Sequence, residues 1–115
     1  MNICIATNDN WVKESLEKNL IGDYVLHTLS SEITKLSESL INLDYFFVDM
    51  QFSNAGGPST IKILKTLFAK ENIREPRFIL IADRETDIFQ GKRVGVNEVI
   101  IKPLTKSKIK KILTK

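Results

Sequence analysis

Three stretches of this chain run from apolar residues straight into polar ones, and the polar residues decide what chemistry is open to them. Tyr45-Phe46-Phe47-Val48 ends in Asp49, Val99-Ile100-Ile101 ends in Lys102-Pro103, and Asn2-Ile3-Cys4-Ile5-Ala6 ends in Thr7-Asn8. A carboxylate accepts hydrogen bonds and binds hard cations, an ammonium donates and binds anions, and a hydroxyl and an amide do so without charge. Brought together, Asp49 and Lys102 balance one another while Thr7 and Asn8 add nothing to the charge. Mg²⁺ takes oxygen ligands and generally wants one or two carboxylates. The expectation is therefore an Asp49–Lys102 ion pair with no resident metal, and at most weak Mg²⁺ binding at Asp49, Asn8 and Gln51. Asp9 is a further carboxylate nearby, but an aspartate just ahead of a helix is expected to cap it.

An aspartate after a strand is commonly a turn residue and no more. The elements around Asp49 argue for a larger role. Apolar runs at residues 2–6, 24–29, 45–48, 77–82 and 99–101 read as strands, and the unbroken ones read as strands buried on both faces. The run at 24–29 is the least apolar and suits an edge; His27 within it is given no role. Between the runs lie helical spacings. Trp11, Val12, Ser15, Leu16, Asn19 and Leu20 form the first, stopped by Gly22. Ser30-Ser31-Glu32 reads as the cap of a second, with Ile33, Leu36, Leu40 and Ile41 on its inner face. Residues 51–57 read as a loop, followed by a third helix with Pro58 at its first position and Ile61, Leu64, Leu67 and Phe68 inward. Residues 83–94 are expected to form only a short or loose helix, because Gly91 costs about 1 kcal/mol in a helix interior. Residues 105–115 form the last, with Ile109, Ile112 and Leu113 on one side and lysines elsewhere.

Alternating strands and helices predict a flavodoxin-like α/β fold: a five-stranded parallel sheet in the order 2-1-3-4-5 with helices on both faces. Residues 1–115 are long enough for one domain and not two. Ligands of such sheets gather at the carboxyl ends of the strands, where Thr7, Asn8, Asp49 and Lys102 would meet.

The totals exclude several classes. With 43% hydrophobic residues the chain is expected to fold, and its net charge of +3 permits an acidic partner without requiring nucleic acid. The single cysteine, Cys4, cannot form an internal disulfide and fits a reducing, cytoplasmic setting. No apolar run approaches the ~20 residues of a membrane span, and no signal-peptide pattern precedes the first strand. Thr7-Asn8-Asp9-Asn10 lacks the glycines and lysine of a phosphate cradle, so no nucleotide or other small-molecule substrate is expected. The spacings give no zinc site and no nucleophile elbow, and no enzyme activity is expected.

On these residues the chain resembles the receiver domains of bacterial two-component response regulators, over essentially its whole length. Asp49 is similar to the family's phosphoacceptor, Lys102 to the lysine that contacts the phosphoryl group, Pro103 to the proline after it, and Gly57 and Gly95 to glycines of the family. The departures fall on the same site. Thr7 and Asn8 stand where the family has two acids that hold Mg²⁺, Ile81 where it has Ser or Thr, Val99 where it has an aromatic switch, and Ser53 where it has proline.

The resemblance implies a receiver-like signalling domain of a two-component or phosphorelay system. Its partner would be a protein, either a histidine kinase or a downstream signalling protein, and efficient Mg²⁺-dependent phosphorylation is not expected. The alternative within the family is a conventional receiver phosphorylated on Asp49. The alternative outside it is a nucleic-acid-binding module using Lys106, Lys108, Lys110, Lys111 and Lys115, against which stand the absence of an aromatic platform and the commonness of solvated basic helix faces. The surface expected to meet a partner comprises the fourth helix, the fifth strand and the last helix, with Lys106, Lys108, Lys110 and Lys111 steering an acidic partner.

Overall fold

The computed structural model describes residues 1–114. Its sheet consists of β1 (Asn2–Ala6), β2 (Val25–Leu29), β3 (Tyr45–Asp49), β4 (Arg77–Ala82) and β5 (Glu98–Ile101), all parallel in the order 2-1-3-4-5. Four α-helices accompany it: α1 (Asn10–Asn19), α2 (Gly57–Lys70), α3 (Ile88–Val94) and α4 (Lys106–Leu113). β2 and β5 are the edge strands, and β2 has Val25 and Thr28 exposed.

The period-two alternation of the strands sorts the core into two layers. Cys4, Ala6, Phe46, Val48, Phe78 and Leu80 face one side and meet Ile61, Leu64 and Phe68 of α2. Phe78 holds that layer together, stacked on Phe46 at 5.5 Å and edge-on to Phe68 at 6.2 Å. Ile3, Ile5, Tyr45, Phe47, Ile79, Ile81 and Ile100 face the other side and meet Val12 and Leu16 of α1 and Ile109 and Ile112 of α4. Burial pushes the Cys4 thiol up to about 12, so it is an inert core residue.

The expected second helix does not form. Residues 30–43 cross from β2 to β3 as irregular chain with one 3₁₀ turn, Glu38–Leu40. Leu36, Leu40 and Leu43 are buried in the α2-side layer, while Ile41 is exposed. Ser30, Ser31, Thr34, Ser37 and Ser39 offer hydroxyls that compete for backbone partners and favour caps and turns over helix interiors; Ser37 and Ser39 bond to each other at 2.9 Å. Three leucine anchors satisfy the core without a helix to carry them.

Two smaller expectations also change. Trp11 is 79% exposed, because α1 packs through the i,i+4 pair Val12 and Leu16 and turns its neighbour outward. Gly57 lies in the first turn of α2 and not in the loop before it. Residues 83–94 do hold only a short helix, a 3₁₀ turn Glu85–Asp87 running into α3. Gly91 there is a packing requirement: a Cβ would come within 2.8 Å of Val99 Cγ2 and 3.0 Å of Val96 Cγ2.

Candidate functional site

Asp49 ends β3 on the same side as Phe47, with Ile81 beside it in register on β4, and it is only 2% exposed. The backbone around it is fixed from several directions. Met50 N–H donates to Ile81 O at 2.8 Å, Phe52 N–H to Asp49 O at 3.0 Å, and Gly57 N–H to Met50 O at 2.9 Å. The start of α2 runs so close to Asp49 that a Cβ on Gly57 would lie 2.3 Å from Asp49 O. Only glycine allows that approach.

A buried carboxylate needs a hydrogen bond or a counter-charge at each oxygen. Asp49 Oδ2 accepts from Thr7 Oγ1 at 2.7 Å. Thr7 sits one residue past β1, is itself buried, and accepts Asp9 N–H at 3.0 Å, so its one proton is aimed at Asp49. Asp9 caps α1, its Oδ1 taking Trp11 N–H at 2.9 Å. Asn8 is exposed and tied to other chain: its amide donates to Ser30 O, and its Oδ1 accepts Ser53 N–H at 3.4 Å. Ser53 has φ +61°, which a proline ring cannot reach, and this accounts for the missing proline.

Asp49 Oδ1 faces the other way, accepting Lys102 Nζ at 3.0 Å and Gln51 N–H at 3.3 Å. Lys102 follows β5, with its N–H on Ala82 O at 2.9 Å, and its side chain reaches past β4 to Asp49. The same ammonium meets Asp83 Oδ1 at 2.7 Å, and Gln51 Nε2 donates to Asp83 Oδ2 at 2.8 Å. Buried Asp87 holds that loop through its Oδ2, which takes Asp83 N–H at 3.0 Å and Arg84 N–H at 3.2 Å. Burial pulls the Lys102 ammonium down, but Asp83 and Asp49 outweigh it and hold it above the usual lysine value. For Asp83 burial acts upward, and Lys102 and Gln51 outweigh it, leaving its carboxyl below the usual range.

The expected Asp49–Lys102 pair is thus in place, but the charge balance is not the expected one. Asp83 makes two carboxylates to one ammonium. It sits just past a buried strand, as Asp49 ends one, and that same signal could have found it. Thr7 bonds Asp49 directly, and Ile81 is fully buried beside it on β4. The donors suggested for weak Mg²⁺ binding do not converge, since Asn8 turns to Ser30 and Ser53 and the Gln51 side chain turns to Asp83. Among the described residues no group of three or more His, Cys, Asp or Glu is placed to hold a metal ion. Thr7 and Asn8 offer a hydroxyl and an amide, and not the carboxylates by which Mg²⁺ is usually held.

Val99 is half-buried and packs toward Gly91. Gly95 takes the left-handed conformation, φ +74°, that closes α3. The Lys102–Pro103 peptide is cis, and Pro103 is exposed. Of the basic residues on α4, Lys108 is committed within the chain, donating to Ile101 O at 2.9 Å and Pro103 O at 3.3 Å, while Lys106, Lys110 and Lys111 are exposed. Lys115 lies outside the described residues.

No protein-family model matches the sequence, and no curated protein sequence matches it. Solved structures do. The response regulatory domain of MrkE from Klebsiella pneumoniae superposes with a TM-score of 0.76 at 13% identity, over 99% of this chain and 93% of that one. A CheY-like response regulator receiver domain protein from Methanospirillum hungatei gives 0.73 at 13% identity, over 98% and 90%. The phosphorylated cyanobacterial phytochrome response regulator RcpA gives 0.69 at 14% identity, over 97% and 87%. The chain has the fold of response regulator receiver domains.

Proposed function

We propose that this domain acts in two-component or phosphorelay signalling as a receiver-like module that works by binding another protein, without efficient Mg²⁺-dependent phosphorylation and without enzyme activity of its own. One observation supports this reading above the rest: both oxygens of Asp49 are taken by the chain's own donors, and the Oδ2 side offers a hydroxyl where a metal would need acids. An attack through Oδ2 would have to break the Thr7 hydrogen bond, and the nearby Asp9 carboxylate is engaged in capping α1. The partner surface in this reading is α3, β5 and α4. Phe89 is 73% exposed on α3, and Lys106, Lys110 and Lys111 are exposed on α4. α3 and α4 flank β5 from opposite faces of the sheet, and an apolar anchor on one with lysines on the other suits an acidic protein partner.

The conventional reading, phosphotransfer to Asp49, draws on the 3.0 Å Lys102 contact, which keeps a cation where a phosphoryl group would sit. Incubation with a small-molecule phosphodonor, with and without Mg²⁺, separates the two by intact mass. The proposal expects no phosphoryl adduct in either condition. A Mg²⁺-dependent adduct that is absent in Asp49→Asn would establish the conventional reading instead.

A further inference from the structure

We infer that Asp83 is a positioning residue that withholds Lys102 from anions arriving at Asp49. The inference rests on reading Asp49 as the centre of the site, and not on whether Asp49 ever carries a phosphoryl group. Lys102 Nζ lies 2.7 Å from Asp83 Oδ1 and 3.0 Å from Asp49 Oδ1. Side-chain exposure runs from 34% at Asp83 through 26% at Lys102 to 2% at Asp49. The ammonium therefore stands at the mouth of the site, held between a carboxylate below it and one beside it.

The outer carboxylate is held in place from two directions. Gln51 Nε2 donates to its second oxygen at 2.8 Å, so both oxygens of Asp83 are engaged. The buried Asp87 carboxylate accepts the N–H groups of Asp83 and Arg84, which fixes the loop that presents it. Asp83, Gln51 and Lys102 close over Asp49 as a clasp.

Two carboxylates and one ammonium leave this cluster with one net negative charge. An oxyanion approaching Asp49 meets that charge, and it can gain Lys102 only by displacing Asp83. Ile81 provides no hydroxyl beside Asp49 to compensate. Changing Asp83 to its amide removes the competing charge at nearly constant shape, so the cluster becomes neutral and the ammonium keeps one anionic partner.

The test uses inorganic phosphate as the probe, with neither phosphodonor nor Mg²⁺ present, so its outcome is independent of whether Asp49 can be labelled. Binding is followed by NMR on the full chain, with the Lys102 ammonium resonance as a local reporter. Asp83→Asn is expected to bind phosphate about tenfold more tightly than the wild type, the scale of one nearby charge in a partly exposed site, and the ammonium signal is expected to shift on binding. Asp83→Glu keeps the charge and is expected to behave as the wild type. Gln51→Ala changes no charge and only loosens the clasp; a smaller gain is expected, and it covers the case in which Asp83→Asn disturbs the fold. Equal phosphate binding by the wild type and Asp83→Asn would overturn the inference. So would an equal gain in Asp83→Glu, which would trace the effect to the loop and not to the charge.

Discussion

On the β1 side of Asp49 stands the hydroxyl of Thr7; on the β5 side stand an ammonium and a second carboxylate. The Thr7 hydroxyl is buried and neutral, with its proton directed to Oδ2 by the bond that Thr7 accepts from Asp9 N–H. The second side is partly open and charged, with Lys102 shared between Asp49 and Asp83. Both sides satisfy the same carboxylate, by different physics. A hydrogen bond from a packed hydroxyl depends on shape and is insensitive to salt, while an ion pair at the mouth of a site is screened and exchangeable. The β1 side is built to be permanent, and the β5 side can change partners.

The platform common to both sides should give the largest effect. Gly57→Ala drives a methyl to within 2.3 Å of Asp49 O, backbone that cannot step aside. A loss of about 3 kcal/mol in unfolding free energy is expected by denaturant titration. Next comes Lys102→Met, which keeps the stem and removes the charge, leaving a buried carboxylate without its cation. Because Lys102 is partly exposed, the loss is expected to be about 2 kcal/mol, below the usual range for breaking a buried pair. Thr7→Val conserves shape and deletes the Oδ2 donor, at an expected cost of about 1.5 kcal/mol. The comparison sharpens with salt: the Lys102→Met loss should shrink as ionic strength rises, and the Thr7→Val loss should not. If both respond alike, the two sides of Asp49 are not different in kind.

The smallest effect is a pH dependence. The folded state holds the Asp83 carboxyl below its ordinary value, so the stability it contributes is present above the unfolded pKa of about 3.9. That contribution is lost as pH falls through the lower folded value. Lys102 is held above its ordinary value, so its contribution is present below about 10.4 and is lost as pH rises through the folded value. Between those limits the stability difference between wild type and Asp83→Asn should be flat, and it should close at the acid end. Thermal melts across that range check it; a difference that widens on acidification would contradict the pairing.

Asp49 and Lys102 were legible because each follows an unbroken apolar run, and a parallel sheet gathers such ends. Thr7 was legible for the same reason, since it follows β1 directly. Asp83 carries the same signal, following the apolar run of β4, but it works from two residues beyond Ile81, the residue that pairs with Asp49. The crossover from β2 to β3 misled because its leucines keep a helical spacing while its serines do not support a helix. Gly91 looked like slack in a helix. Its role depends on Val99 and Val96, which only the packed fold brings against it. Lys108 looked like free surface charge, and the groups that hold it are backbone carbonyls just ahead of α4, which no pattern of side chains reports.

In the proposed reading Asp49 is satisfied by its own chain and recruits no Mg²⁺. The most direct measurement is a Mg²⁺ titration of the wild type followed by the backbone amide resonances of residues 49–51, with the Thr7→Asp/Asn8→Asp double variant run alongside. A flat response is expected in the wild type and a saturable one in the double variant, whose melting temperature should also rise with Mg²⁺. A saturable, sub-millimolar response in the wild type that disappears in Asp49→Asn would contradict it.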